Sequence, residues 1–235
     1  MAFFYDMRLR KLVLLILILL SGILYYFYSA EGAKTSLVVN KVIDGDTLDT
    51  SFGRVRLLGI NTPEKEQPFY PEARDYLKQF EGRQLGFEIR EKDKYGRFLA
   101  YVFDGGELVN KNILQRGLAN LYYYGEDEYY SEMKKAEEGA RKNEIGIWKK
   151  SNNSLCIEMT DFKPIDTGSE KEVLELKNNC NFSLKIIIKD DANHIYNEEI
   201  NSSSVLRKEL QNIFNDDGDS LFVRDENGLV LFYRY

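Results

Sequence analysis

The chain has 235 residues, 43% hydrophobic and 30% charged, which suits one large or two small globular domains and excludes a disordered chain. Its net charge of −6 is uneven: residues 34–150 balance 20 basic against 20 acidic side chains, whereas residues 151–235 carry 9 against 16. That balance excludes a broad basic face for nucleic acid, so any such contact must be local; one histidine and two cysteines exclude a structural zinc site and argue against histidine-based catalysis.

Arg8, Arg10 and Lys11 precede an apolar run from Leu12 to Tyr28, broken only by Ser21 and Gly22. At 1.5 Å per residue this run is just long enough to span a bilayer. Tyr25, Tyr26 and Tyr28 would form an interfacial aromatic belt, and the positive flank puts the N-terminus inside. Residues 1–33 therefore read as a transmembrane signal-anchor with the rest of the chain outside the cytoplasm. The alternative is a cleaved signal peptide with small residues at Ala30 and Ala33, giving a secreted protein.

Leu37 to Val39 predicts a strand, followed by the turn Asp44-Gly45-Asp46. Phe52-Gly53 predicts a hairpin turn, with Arg54 to Leu58 as the returning strand. Pro63 breaks that strand into the loop Asn61-Thr62-Pro63-Glu64. Pro71 opens a helix that Gly82 ends. Leu85–Arg90 and Phe98–Phe103 predict strands, with Asp104-Gly105-Gly106 as a turn. Val109–Arg116 and Ser131–Asn143 predict two more helices, and Ile145-Gly146-Ile147-Trp148 closes the unit with Trp148 as a core plug. About five short strands with three helices describe a small barrel spanning residues 34–150. Residues 151–154 lie in a polar linker. Strands near 155–160, 172–176, 184–189, 220–224 and 229–233, without a helix, predict a β-sandwich over 155–235. His194 sits in an acidic stretch and reads as an ordinary surface or strand residue.

The chemistry concentrates between Asp44 and Arg97. Asp46 follows one strand while Asn61 and Glu64 follow the next, so a sheet can bring their oxygens together. Such oxygen donors suit Ca²⁺, a hard cation with loose geometry. Arg56 and Arg97 offer planar guanidinium groups that match phosphate oxygens two at a time. Taken alone, the same charges could be surface ion pairs. Cys156 and Cys180 lie in one small unit, and an oxidising compartment favours a disulfide between them. Two buried free thiols are the alternative.

Residues 36–150 resemble the staphylococcal nuclease (thermonuclease) family. The resemblance rests on Val42-Ile43-Asp44-Gly45-Asp46-Thr47, Arg56-Leu57-Leu58-Gly59-Ile60-Asn61-Thr62-Pro63-Glu64, Asp93-Lys94-Tyr95-Gly96-Arg97-Phe98-Leu99-Ala100-Tyr101, Gly117-Leu118-Ala119 and Ile147-Trp148. It implies an OB-fold barrel and Ca²⁺-dependent cleavage of DNA and RNA phosphodiesters, leaving 3′-phosphates. By matching position, Asp46, Asn61 and Thr62 would ligate Ca²⁺, the last through its carbonyl oxygen. Glu64 would be the general base, and Arg56 and Arg97 would stabilise charge on the phosphoryl group. Lys94, Tyr95 and Tyr123 fall where the family contacts the nucleotide. The family pattern has Asp where this chain has Asn61, which removes one formal charge from the metal site and implies weaker Ca²⁺ binding. Residues 155–235 resemble a lamin-tail domain, an immunoglobulin-like β-sandwich, through Val173 to Asn178, Lys189 to Tyr196 and Asp217 to Asp225. That family's Gly-Trp element before Lys189 is missing, and the resemblance implies binding or spacing. The chain thus reads as a mainly β protein with α elements: a membrane-anchored nuclease facing outward, or, alternatively, a nucleic-acid-binding module on the same barrel without turnover.

Overall fold

Alternation of apolar and polar residues builds the barrel, because successive strand side chains point to opposite faces. The structure, a computed structural model, describes residues 11–22, 34–122, 125, 127–164, 171–192, 194–210, 213–215 and 218–235. Strands β1 (Thr35–Val42), β2 (Thr47–Thr50) and β3 (Gly53–Leu57) form an antiparallel meander. The two-residue β4 (Ile60–Asn61) follows at once. On its other edge β1 pairs with β5 (Gln84–Lys92), and β5 pairs with β6 (Phe98–Asp104). Parallel pairing of β3 with β6, Arg56 opposite Leu99, closes the five strands into a barrel. The short β7 (Glu107–Leu108) turns back along β6, and β8 (Asn120–Leu121) pairs with β4.

Inward residues such as Leu48, Val55, Leu57, Phe87 and Tyr101 fill the barrel. A helical segment at residues 11–22, here α1, precedes it. Three further helices support it: α2 (Tyr70–Lys78), α3 (Val109–Gln115) and α4 (Tyr130–Lys142). Pro71 stands in the first turn of α2, where its missing N–H costs nothing. Leu77, Ile113, Leu114 and Met133 carry the helices into the same core.

The expected membrane span, Leu12 to Tyr28, lies only partly within the described residues. Among the described residues no helix is long and apolar enough to cross a membrane. Residues 23–28, with the tyrosine belt, lie outside the described residues.

A second unit follows, built from two antiparallel sheets. One has the order β13-β10-β9, from β9 (Ile157–Lys163), β10 (Glu172–Asn178) and β13 (Val205–Leu210). The other has the order β12-β11-β14-β15, from β11 (Leu184–Lys189), β12 (Ile195–Ile200), β14 (Ser220–Asp225) and β15 (Gly228–Arg234). Leu174 and Leu176 from the first sheet share one buried cluster with Ile186, Ile188, Leu221 and Val223 from the second. Cys156 and Cys180 are joined by a disulfide at the edge of that cluster. No helix occurs among the described residues of this unit.

The segment expected to be a linker is tied down instead. Ser151 is buried, and its Oγ donates to Asp225 at 2.6 Å. Lys149 and Ser151 exchange backbone bonds with Leu229 of β15. Trp148 does not plug the barrel alone. It packs between the units, 5.7 Å from Phe222 and 5.0 Å from Phe232 by ring centroids. Ala140, Ile147 and Leu229 complete that interface cluster. Beside it, Arg234 of β15 makes a two-pronged ion pair with the fully buried Glu137 of α4, at 2.5 and 3.0 Å.

Candidate active site

The turn between β1 and β2 brings Asp46 into the molecule. Gly45 is required there by contact: a Cβ at this position would lie 2.7 Å from Thr62 Oγ1 and 2.8 Å from Ala73 Cβ. The turn therefore sits directly on the Thr62 loop and α2. The Thr47 hydroxyl donates to Asp46 Oδ1 at 2.9 Å, and the Thr62 N–H donates to Oδ2 at 3.4 Å. Asp44 is crowded into the same spot. Burial first, and then the charge of Asp46, push its carboxyl up to about 6.

Arg56 projects from β3 and bridges the cluster. It donates to Asp46 Oδ1 at 2.5 Å, to Asn61 Oδ1 at 3.0 Å and to the Ile60 carbonyl at 3.3 Å. Asn61 is buried and uses the other end of its amide as well, with Nδ2 donating to the Asp191 carbonyl at 2.6 Å. Thr62 is buried beside it, and Glu64 is exposed two residues on.

Arg97 arrives by a separate device. Asp93 to Arg97 is a tight turn in which Gly96 has φ 79°, a conformation that suits glycine. Asp93 accepts from the Arg97 Nε at 2.7 Å and from the backbone N–H groups of Tyr95 and Arg97, both at 2.9 Å. Burial would lift the Asp93 carboxyl, but these bonds outweigh it and hold the group below its ordinary value. Lys94 and Tyr95 are exposed at the tip of the turn. Arg97 lies 5.4 Å from the Tyr95 ring centroid.

These pieces converge on one cleft of about 970 Å³, lined by Arg56, Asn61, Glu64, Lys94, Tyr95 and Arg97, together with Asp49, Arg54 and Tyr122. Arg54, Arg56, Lys94 and Arg97 outnumber the lining carboxylates of Asp49 and Glu64, so a neutral barrel carries a locally cationic cleft. Asp46 and Thr62 sit behind Arg56 and Asn61 rather than on the open wall. Tyr123 lies outside the described residues, and its neighbour Tyr122 lines the cleft. Among the described residues no group of three or more His, Cys, Asp or Glu side chains could hold a metal ion by itself.

Five lining residues escaped the sequence reading: Asp49, Arg54, Tyr122, Ala192 and His194. Arg54 was open to discovery, because it stands two residues from Arg56 and so shares its face of β3. Ala192 and His194 come from the second unit and close the far wall. His194 is half-exposed, with Nδ1 held 2.5 Å from the buried Asp190 carboxylate. Asp191 is buried beneath the same loop. It accepts from Asn120 Nδ2 at 2.9 Å, its N–H donates to Asp219 Oδ1 at 3.0 Å, and burial pushes its carboxyl up to about 7. No local spacing announces the Asn61–Asp191 contact, which joins residues 130 apart in sequence.

Comparison with known proteins fits this geometry. Residues 54–150 match the family described as "Staphylococcal nuclease homologue". The thermonuclease of Staphylococcus intermedius is 35% identical over 136 residues, covering 52% of this chain and 81% of that protein. The thermonuclease of Staphylococcus hyicus is 36% identical over 124 residues, covering 47% and 73%. The SPbeta prophage-derived endonuclease YokF of Bacillus subtilis is 34% identical over 131 residues, covering 49% and 44%. The cleft-bearing barrel and these relatives together place the chain in the staphylococcal nuclease family.

Proposed function

We propose that this chain is a Ca²⁺-dependent nuclease that hydrolyses phosphodiester bonds of DNA or RNA. The observation that carries the reading is the cationic cleft around one exposed carboxylate, Glu64, in an otherwise neutral barrel. Glu64 takes a proton from the attacking water as general base. Arg56 and Arg97 receive the charge that builds on the phosphoryl oxygens, and as guanidinium groups they can do so two oxygens at a time. Lys94, Tyr95 and Tyr123 hold the nucleotide.

The donors around Asp46 suit a hard cation. They are all oxygens, from the Asp46 carboxylate, the Asn61 amide and the Thr62 carbonyl. When bound, Ca²⁺ would neutralise charge on the phosphodiester.

One observation favours a second reading, a binding module without turnover. The Asn61 amide is already engaged at both ends, by Arg56 and by the Asp191 carbonyl. One assay separates the two. The enzyme predicts cleavage of single-stranded DNA that chelator abolishes and Ca²⁺ restores, with Glu64→Gln lowering the rate by ~10²–10⁴-fold. Full activity in Glu64→Gln would remove the mechanism, and binding without cleavage in the wild type would establish the module.

The proposal includes a location outside the cytoplasm, held by the N-terminal apolar run or released after cleavage. The Cys156–Cys180 disulfide supports an oxidising compartment. Protease added to intact cells should then remove the nuclease unit, and full protection of that unit would refute the location. For the second unit, a lamin-tail-like role in binding or spacing remains part of the same proposal.

A further inference from the structure

Glu64 borders two cavities. One is the cleft described above. The other, about 360 Å³, lies between the Pro63–Pro68 stretch and the second unit, and its size is within the range of small-ligand sites.

The wall it presents follows from strand register. In β11 the residues Leu184, Ile186 and Ile188 point into the core of the second unit. Ile187 and Lys189 must then point the other way. Across the sheet Ile187 stands opposite Arg224 and Asn197, while Lys189 stands opposite Phe222 and Ile195. All six share one face, and all six line this cavity. The face combines two cations, an amide and apolar surface.

Glu64 and Glu66 also line the cavity, and Asp190, Asp191 and Glu64 favour the charged form of Lys189 from farther away. Among the described residues neither Lys189 nor Arg224 has a carboxylate within ion-pair distance. Arg224 donates to the Ile147 carbonyl at 2.5 Å, and burial depresses both groups, Arg224 to about 10. Desolvated cations are costly unless an anion meets them. The loop opposite is held in an unusual shape, with Glu66 at φ 75° and Phe69 at φ 70°. Such backbone persists only where its surroundings enforce it, and Phe69 is packed against the Trp148–Phe222 cluster.

We propose that this cavity is a nucleotide subsite built by the second unit, taking the nucleotide next to the scissile phosphate of a single-stranded polynucleotide. Lys189 and Arg224 meet its phosphate, and Ile187 and Ile195 with Asn197 face its base. The inference rests on the nuclease reading, because Glu64 on the shared rim defines which phosphate is cut.

The test uses the full chain and the variants Lys189→Met and Lys189→Arg. Arg224 is left intact because it also holds Ile147. Two substrates are compared: single-stranded DNA of about ten nucleotides, within an OB-fold footprint, and a mononucleotide nitrophenyl phosphodiester, too small to fill both cavities. Lys189→Met should raise KM for the longer substrate about tenfold, with kcat unchanged and the small ester unaffected. Lys189→Arg should keep most of the wild-type KM. Equal KM for Lys189→Met and wild type on the longer substrate would overturn the subsite. A fall in kcat on both substrates would also overturn it, making Lys189 a positioning residue for Glu64. If the wild type cuts neither substrate, the nuclease reading fails and binding decides alone: in EDTA, Lys189→Met should still weaken the affinity for the longer DNA about tenfold, and unchanged affinity rejects the subsite.

Discussion

Where the family resemblance implies an aspartate this chain has Asn61, and both of its hydrogen bonds suit an amide. Its oxygen accepts from Arg56, which a carboxylate could also do. Its nitrogen donates to the Asp191 carbonyl at 2.6 Å, which a carboxylate could not. Aspartate here would set a negative oxygen against a carbonyl oxygen in a buried place. Charge counting at the proposed metal site says that Asn61→Asp should lower the Ca²⁺ concentration needed for cleavage. The contact with the second unit says that the same change costs stability, because a buried acceptor loses its donor, an effect of about 1–3 kcal/mol. We expect Asn61→Asp to lower the thermal midpoint even in the presence of chelator. An unchanged midpoint would mean that the 2.6 Å contact contributes nothing to docking.

At the scale of elements, legibility followed sequence distance. The β1–β2 turn, the β3 strand and the Asp93–Arg97 turn are local devices, and each was readable from turn residues and alternation. Gly117 and Ile147-Trp148 were readable as a helix stop and a closing segment. Why they belong together was not: Gly117 at φ 62° and Gly146 at φ 60° let two backbones touch, and a Cβ on either would lie 2.1 Å from a carbonyl oxygen of the other segment. That contact aims Trp148 at the second unit. Strands β12 and β13 were missed. Each lies at the edge of its sheet, and each carries charge at several positions, as in Asn197-Glu198-Glu199 and Arg207-Lys208-Glu209. Edge strands keep such charges in solvent, so apolar alternation is diluted. The far wall of the cleft was illegible for a related reason. Ala192 and His194, like Lys189 and Arg224 in the second cavity, sit on a face whose partner lies in another unit, and one strand's pattern cannot show what its outward face will meet.

At the scale of the molecule, the question is what holds that face against the barrel. The apolar cluster around Trp148 supplies non-directional burial. Orientation comes from the Glu137–Arg234 pair. Glu137 is fully buried and its Oε1 also accepts the Leu121 N–H at 2.7 Å, so one carboxylate joins α4, β8 and β15. The Leu121 carbonyl takes a further bond from Arg234 at 3.3 Å. Since β8 pairs with β4, with Asn61 opposite Asn120, this pair lies one strand away from the candidate metal site. Removing the arginine strands a buried charge, which costs about 3–5 kcal/mol, whereas removing both partners costs less because no charge is left alone. Arg234→Met should therefore lower stability sharply in thermal unfolding, and Glu137→Gln combined with Arg234→Met should recover part of the loss. Activity supplies the second readout. With the second unit loosened, the wall carrying Ala192 and His194 separates from the cleft, and cleavage of long single strands should weaken more than cleavage of a mononucleotide ester. If Arg234→Met leaves stability and both activities at wild-type levels, the ion pair does not orient the units, and the docking must rest on the Trp148 cluster alone.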